Sequence, residues 1–163
     1  KIGNLLSELR ASNTEIDFII AMITCWRLAS VSELKFAGSH PNQFQLYKFV
    51  HQNEDGLIPG LFLHLANRAK LPTGKQWKTD AISVAVQNVL AFYFQTYLPA
   101  KTKKPLINGN DIEQKFKIKP NPLFRTLLYK VEEARVLGII HTRSEAINFS
   151  KLLINSDQNK SNG

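Results

Sequence analysis

Apolar residues recur along this chain at spacings of three and four, the signature of helices packed on one face. Residues 2–11 place Ile2, Leu5, Leu6 and Leu9 on one side of a helix. Ser12 and Glu15 then form an S-x-x-E capping box, which predicts a second helix over about 13–28. That helix carries Ile16, Ile19, Ile20 and Ile23, with Phe18, Met22 and Trp26 widening its apolar face, a pattern of core packing. A polar joint is expected at 30–32 and a turn at 38–41, where Gly, Ser, His and Pro cluster. Helices are expected next over 42–52 and, after a break at 53–56, over 58–71, with Pro59 in a first turn. Residues 75–98 make the most apolar helix of the chain, with only Ser83, Gln87 and Gln95 as a thin polar stripe. Such a helix packs on several sides, so it belongs near the centre.

The C-terminal stretch is the most sharply punctuated. Asn108 or Asn110 can cap a helix whose first turn holds the acids Asp111 and Glu113. Pro120 and Pro122 bracket a stop and a restart. Leu123, Leu127, Val131, Ala134 and Leu137 follow at helical spacing, and Gly138 supplies a C-terminal stop. Thr142 and Glu145 form a second capping box. No alternating run bounded by hairpin turns occurs, so the expected class is all-α, an irregular array of eight or nine helices. The expected organisation is a helical body over 1–98, a helical tail over 99–154 approached by the basic loop PAKTKKP, and a disordered end over 155–163.

Charge changes this picture. The 163 residues carry a formal net charge of +8, which favours an anionic partner, nucleic acid before an acidic membrane surface. Lys101, Lys103, Lys104, Lys115, Lys117 and Lys119 fall within a stretch whose acids are Asp111 and Glu113 alone. Arg125, Lys130, Arg135 and Arg143 follow. Projected together, such cations neutralise phosphates and make binding salt-dependent; the competing reading is a solvated face that keeps the chain soluble.

Little else points to chemistry. The single cysteine, Cys25, lies in apolar helical sequence and reads as a buried, inert thiol. His40, His51, His64 and His141 have no metal-ligand spacing, and His64 reads as a core residue. Isolated acids such as Asp17, Asp80 and Glu133 read as solvated. No P-loop, nucleophile elbow or paired-carboxylate motif is present, so neither a catalytic nor a metal-binding residue is assigned. No apolar run approaches the roughly 18 residues that span a bilayer, so no membrane association is expected and the cytoplasm is the default. The chain begins at Lys1 directly in helical sequence, and a longer parent protein is expected.

The tail carries a family resemblance. L-I-N-G-N-D-I at 106–112, K-P-N-P at 119–122, E-E-A-R-V-L-G at 132–138 and T-R-S-E-A at 142–146 resemble, in order and spacing, the C-terminal segment of bacterial CCA-adding tRNA nucleotidyltransferases and related poly(A) polymerases. The chain departs from the family's K-P-G-P at Asn121 and has Phe124-Arg125 where a small residue is expected. More loosely, S-N-T-E-I at 12–16 and L-H-L-A-N-R at 63–68 resemble the end of a metal-dependent HD-type phosphohydrolase domain. Its usual aspartate is Asn67 here and its R-H-H element is Thr24-Cys25-Trp26-Arg27.

The resemblance implies a non-catalytic RNA-binding region that positions the 3′ end of a tRNA acceptor arm. Lys101, Lys103, Lys104, Lys115, Lys117, Lys119, Arg125, Lys130 and Arg143 are its candidate contacts. Transfer chemistry, with Mg²⁺ and nucleoside triphosphates, would reside in a separate head, and no cofactor is expected in this segment. Two other readings stay open: part of an HD-type phosphohydrolase, or a helical module that forms a homodimer.

Overall fold

A computed structural model describes residues 8, 10–38, 40–68, 81–117 and 122–161. The helix expected at 2–11 and the start of that expected at 75–98 lie largely outside the described residues. The chain is built as two compact units, Lys1–Phe94 and Gln95–Gly163. Among the described residues every regular element is helical, in seven helices rather than eight or nine. None is long and apolar enough to cross a membrane.

In the first unit, α1 spans Asn13–Phe36, α2 Gln43–Gln52 and α3 Leu57–Arg68, with a 3₁₀ turn at Glu54–Gly56 before α3. Ser12 caps α1 as expected: its hydroxyl accepts from the Glu15 N–H at 3.3 Å, and the Ser12 N–H donates to Glu15 Oε2 at 2.7 Å. The joint expected at 30–32 does not form, and α1 continues to Phe36. Serines tolerate a helix when packing holds its two ends, and here Ala29 and Phe36 are both buried. The helix stops where a neighbour takes its carbonyls: the Asn88 side-chain amide donates to Phe36 O at 2.5 Å and to Gly38 O at 3.0 Å. Asn42 caps α2 by accepting from the N–H groups of Phe44 and Gln45 at 3.0 and 3.2 Å.

α1 and α3 run in the same direction with small residues at their contact. A Cβ on Gly56 would lie 2.6 Å from Met22 N, and one on Gly60 would lie 2.5 Å from Cys25 Cβ and 2.8 Å from Met22 O. One turn further on, Ala29 shares a cavity of about 10 Å³ with Leu61 and His64. The spacing of 21, 25 and 29 on α1 thus matches that of 56, 60 and 64. Glycine inside a helix costs about 1 kcal/mol in propensity, and at Gly60 the cost is offset by this close approach. Cys25 Sγ, wholly buried there, donates to Leu57 O at 3.6 Å. Burial pushes its thiol up to about 12, so the thiolate is suppressed and the residue is inert, as its apolar setting suggested. His64 is buried in the same contact, a core residue as expected.

α4 begins as Ala81–Phe92, widens into a π-turn at Tyr93–Tyr97 and ends with Leu98–Lys101. Residues 99–101 are therefore helical and do not belong to the loop expected at 99–105. Pro99 falls in the first turn after the π segment, where a missing N–H is tolerated.

The second unit is organised around α6, Pro122–Val136, against which the last turn of α4, α5 (Gly109–Phe116) and α7 (Arg143–Ser161) all pack. Its core contains Ile112 from α5, Leu127, Val131 and Ala134 from α6, and Ala146 and Ile154 from α7. Gly138, at φ 70°, ends α6: the Gly138 N–H donates to Arg135 O at 3.1 Å and the Ile139 N–H to Ala134 O at 2.8 Å, the paired bonds of a Schellman cap. Residues 118–121 lie outside the described residues. α7 runs through Ser161, with Leu153 and Ile154 packed on the core.

Candidate nucleic-acid interface

Most of the charge sits in the second unit. Gln95–Gly163 holds twelve Lys and Arg against six Asp and Glu, so it carries a net +6 of the chain's +8. The candidate cations differ in how they are held. Lys101, Lys103 and Lys104 are exposed on the last turn of α4 and the turn that follows it. The Lys101 ammonium stands 5.9 Å from the centre of the Tyr97 ring, a weak cation–π contact that orients it. Lys115 and Lys117 are exposed at the end of α5. Lys117 caps that helix in the left-handed conformation, at φ 54°, with its N–H donating to Glu113 O at 2.9 Å. Lys119 lies outside the described residues. Arg125 is exposed near the start of α6.

Two candidates, Lys130 and Arg143, are held in ion pairs within the protein. Lys130 Nζ is 2.6 Å from Glu133 Oε2 and 5.6 Å from the centre of the Tyr129 ring. The Glu133 side chain is only 7% exposed, so Lys130 compensates a carboxylate held out of water. Glu133 was expected to be solvated; it is buried and paired, and the three-residue spacing to Lys130 was its visible signal. Desolvation, and then the Glu133 charge, raise the neighbouring Tyr129 hydroxyl above its ordinary value. Arg135 likewise grips Glu132, with Nε donating to Oε2 at 2.8 Å.

Arg143, at the start of α7, pairs with Asp111 at the start of α5. Asp111 does two jobs. Its Oδ2 accepts from the Asn108 N–H at 2.9 Å, and its N–H donates to Asn108 Oδ1 at 3.1 Å, closing a capping box; its Oδ1 accepts from Arg143. The Asn108 backbone bond is the main cause that holds the carboxyl below its ordinary range; burial, next in size, opposes it, and the Arg143 pair and the Lys115 charge add to the lowering. Lys115 and Arg143, 28 positions apart in sequence, are thereby gathered around one carboxylate. Gly109, between cap and acid, lets the Phe124 ring lie close: a Cβ there would come within 3.0 Å of the ring. The phenylalanine that departs from the family pattern is a packing residue on α5.

The third capping box forms as expected. The Glu145 N–H donates to Thr142 Oγ1 at 3.2 Å, while Glu145 Oε2 accepts from the His141 N–H at 2.7 Å and the Thr142 N–H at 3.4 Å. Backbone donors lower the carboxyls of Glu15 and Glu145 from their ordinary 4.5, as they lower Asp111 from 3.8. A depressed carboxylate stabilises the fold above its unfolded-state value and ceases to as pH falls through its lower folded value. Thermal midpoints are therefore expected to stay level from about pH 6 to about pH 5 and to fall below about pH 4.5, with Glu15→Gln and Glu145→Gln flattening the decline. A melting curve at each pH checks this.

Among the described residues no three His, Cys, Asp or Glu side chains are grouped as metal ligands. In the segments that resemble an HD-type domain, Cys25 faces Gly60, His64 is buried, and Asn67 is exposed near the end of α3. Of these, Cys25 and His64 serve helix packing here.

Fold and charge define a basic, all-helical module whose second unit displays cations from the end of α4, from α5 and from α6. The chain matches the family model of tRNA nucleotidyltransferase domain 2 over residues 1–149 and belongs to that family. No curated protein and no solved structure matches it.

Proposed function

We propose that this chain is the tRNA-holding region of a tRNA nucleotidyltransferase and that it works by positioning. In this reading the cations of Gln95–Gly163 hold phosphates of the acceptor–TΨC arm and present its 3′ end to a nucleotidyltransferase head in the cytoplasm. That head would bind the nucleoside triphosphate and Mg²⁺ and carry out the transfer. The observation that carries the reading is the set of five exposed lysines, Lys101, Lys103, Lys104, Lys115 and Lys117, in a chain of this family. A-form RNA offers phosphates and 2′-hydroxyls on a wide shallow groove, so shape and charge suffice for recognition without base contacts. The choice among CCA, A or poly(A) addition belongs to the head.

Titrating tRNA onto the chain across a series of salt concentrations tests this. With four or five phosphates engaged, affinity is expected to fall roughly 100- to 1,000-fold between about 50 and 200 mM salt. No binding at low salt, or affinity indifferent to salt, rules the reading out.

A further inference from the structure

An acid within a phosphate-binding surface ordinarily weakens it, yet Asp111 is paired with one candidate cation, Arg143, and lies one helical turn from another, Lys115. Its side chain is 14% exposed while that of its partner Arg143 is 63% exposed, so the carboxylate is sheltered and the guanidinium faces water. Arg143 Nη2 donates to Asp111 Oδ1, and Asp111 is itself fixed through Oδ2 to the Asn108 backbone. The chain of contacts thus runs from a rigid helix start to a carboxylate to an exposed guanidinium. An arginine held in this way loses less rotamer freedom on meeting a phosphate than one free in solvent, and its planar fork has donors beyond the one engaged. Lys115 lies one turn along the same helix from Asp111 and shares its field.

We infer that Asp111 is a positioning residue for RNA, holding Arg143 in place to meet a backbone phosphate. This rests on the RNA-binding reading above. It makes a prediction opposite in sign to that of charge alone. Asp111→Asn makes the surface one unit more positive, and if charge alone mattered tRNA would bind more tightly. Positioning demands the reverse, a loss of about 2- to 10-fold, the scale of immobilising one long side chain.

The test is a double-mutant cycle in tRNA affinity against salt, using Asp111→Asn, Arg143→Ala and both together. Arg143→Ala is expected to weaken binding and to lower the salt slope by about one. Asp111→Asn is expected to weaken binding in the parent and not in the Arg143→Ala background. Asn108→Ala removes the bond from the Asp111 N–H to Asn108 Oδ1 and leaves both the ion pair and the Asn108 N–H on Asp111 Oδ2; it should lower the melting temperature without changing affinity measured well below melting, which separates helix capping from the positioning of Arg143. An unchanged salt slope in Arg143→Ala, or tighter binding by Asp111→Asn, overturns the inference while the parent's own binding still supports the RNA reading. Absence of tRNA binding by the parent overturns both.

Discussion

Replacing Gly60 with alanine is expected to destabilise the first unit by about 2 kcal/mol, and replacing Gly56 by more. Alanine ordinarily improves a helix over glycine by about 1 kcal/mol, so the sign itself is diagnostic. At Gly60 the new methyl would lie 2.5 Å from Cys25 Cβ and 2.8 Å from both Cys25 Sγ and Met22 O. Carbon atoms in a packed interior sit at about 3.5–4.0 Å. Cys25 Cβ and Met22 O are both fixed by the α1 backbone, so α1 and α3 must separate by about an ångström over their length. Overpacking of this kind costs typically about 1–3 kcal/mol. At Gly56 the atoms met are the backbone of Ala21 and Met22, which no rotamer change can move. For a unit of this size each kcal/mol shifts the midpoint by about 4–8 °C, so a melting curve resolves the effect readily. Cys25 provides a second readout. Its thiol is buried and its thiolate suppressed, so labelling by a thiol reagent should be slow in the parent and faster in Gly60→Ala. Stability equal to or above the parent's would refute the close contact of α1 with α3.

What the sequence made legible, and what it hid, follows the range of each interaction. The capping boxes at Ser12–Glu15 and Thr142–Glu145, the Asn108 cap and the Gly138 stop were all readable, because each is written within a few residues. The all-helical class was readable for the same reason, since periodicity is local. Gly60 could be seen only as a glycine tolerated in a helix; the reason for it stands 35 positions upstream at Cys25. The end of α1 was misplaced because its terminator, Asn88, comes from another helix.

The candidate interface divides in the same way. A run of lysines is visible in any sequence, but their division into exposed and engaged groups is not. The pairing of Lys130 with Glu133 lay within reach of a three-residue spacing rule. That of Arg143 with Asp111 bridges 32 positions and two helices and leaves no local trace. Charge counting alone therefore overstates the freely available cations and misses the acid that gathers two of them.

That division yields the second large expected effect. Changing Lys101, Lys103, Lys104, Lys115 and Lys117 together to alanine should weaken tRNA binding by at least about 100-fold at low salt and remove most of its salt dependence. Each phosphate contact contributes about 0.9 to the slope of log affinity against log salt, so up to about 4 to 5 of that slope is at stake. The fold should hardly notice. All five side chains are exposed, and the four that lie away from helix caps should each change stability by no more than about 0.5 kcal/mol. Lys117 caps α5 through its backbone N–H, which alanine keeps, so substitution there removes charge without removing the cap bond. Lys130→Ala should behave in the opposite manner. It strands the carboxylate of Glu133, whose side chain is 7% exposed, and so should lower the melting temperature while leaving the salt slope nearly intact. Binding and melting measured on both variants thus separate two kinds of lysine that the sequence presents alike. If the five-lysine variant keeps the parent's affinity and slope, phosphate contact lies elsewhere on the chain, and the basic surface of the second unit is a solvated face.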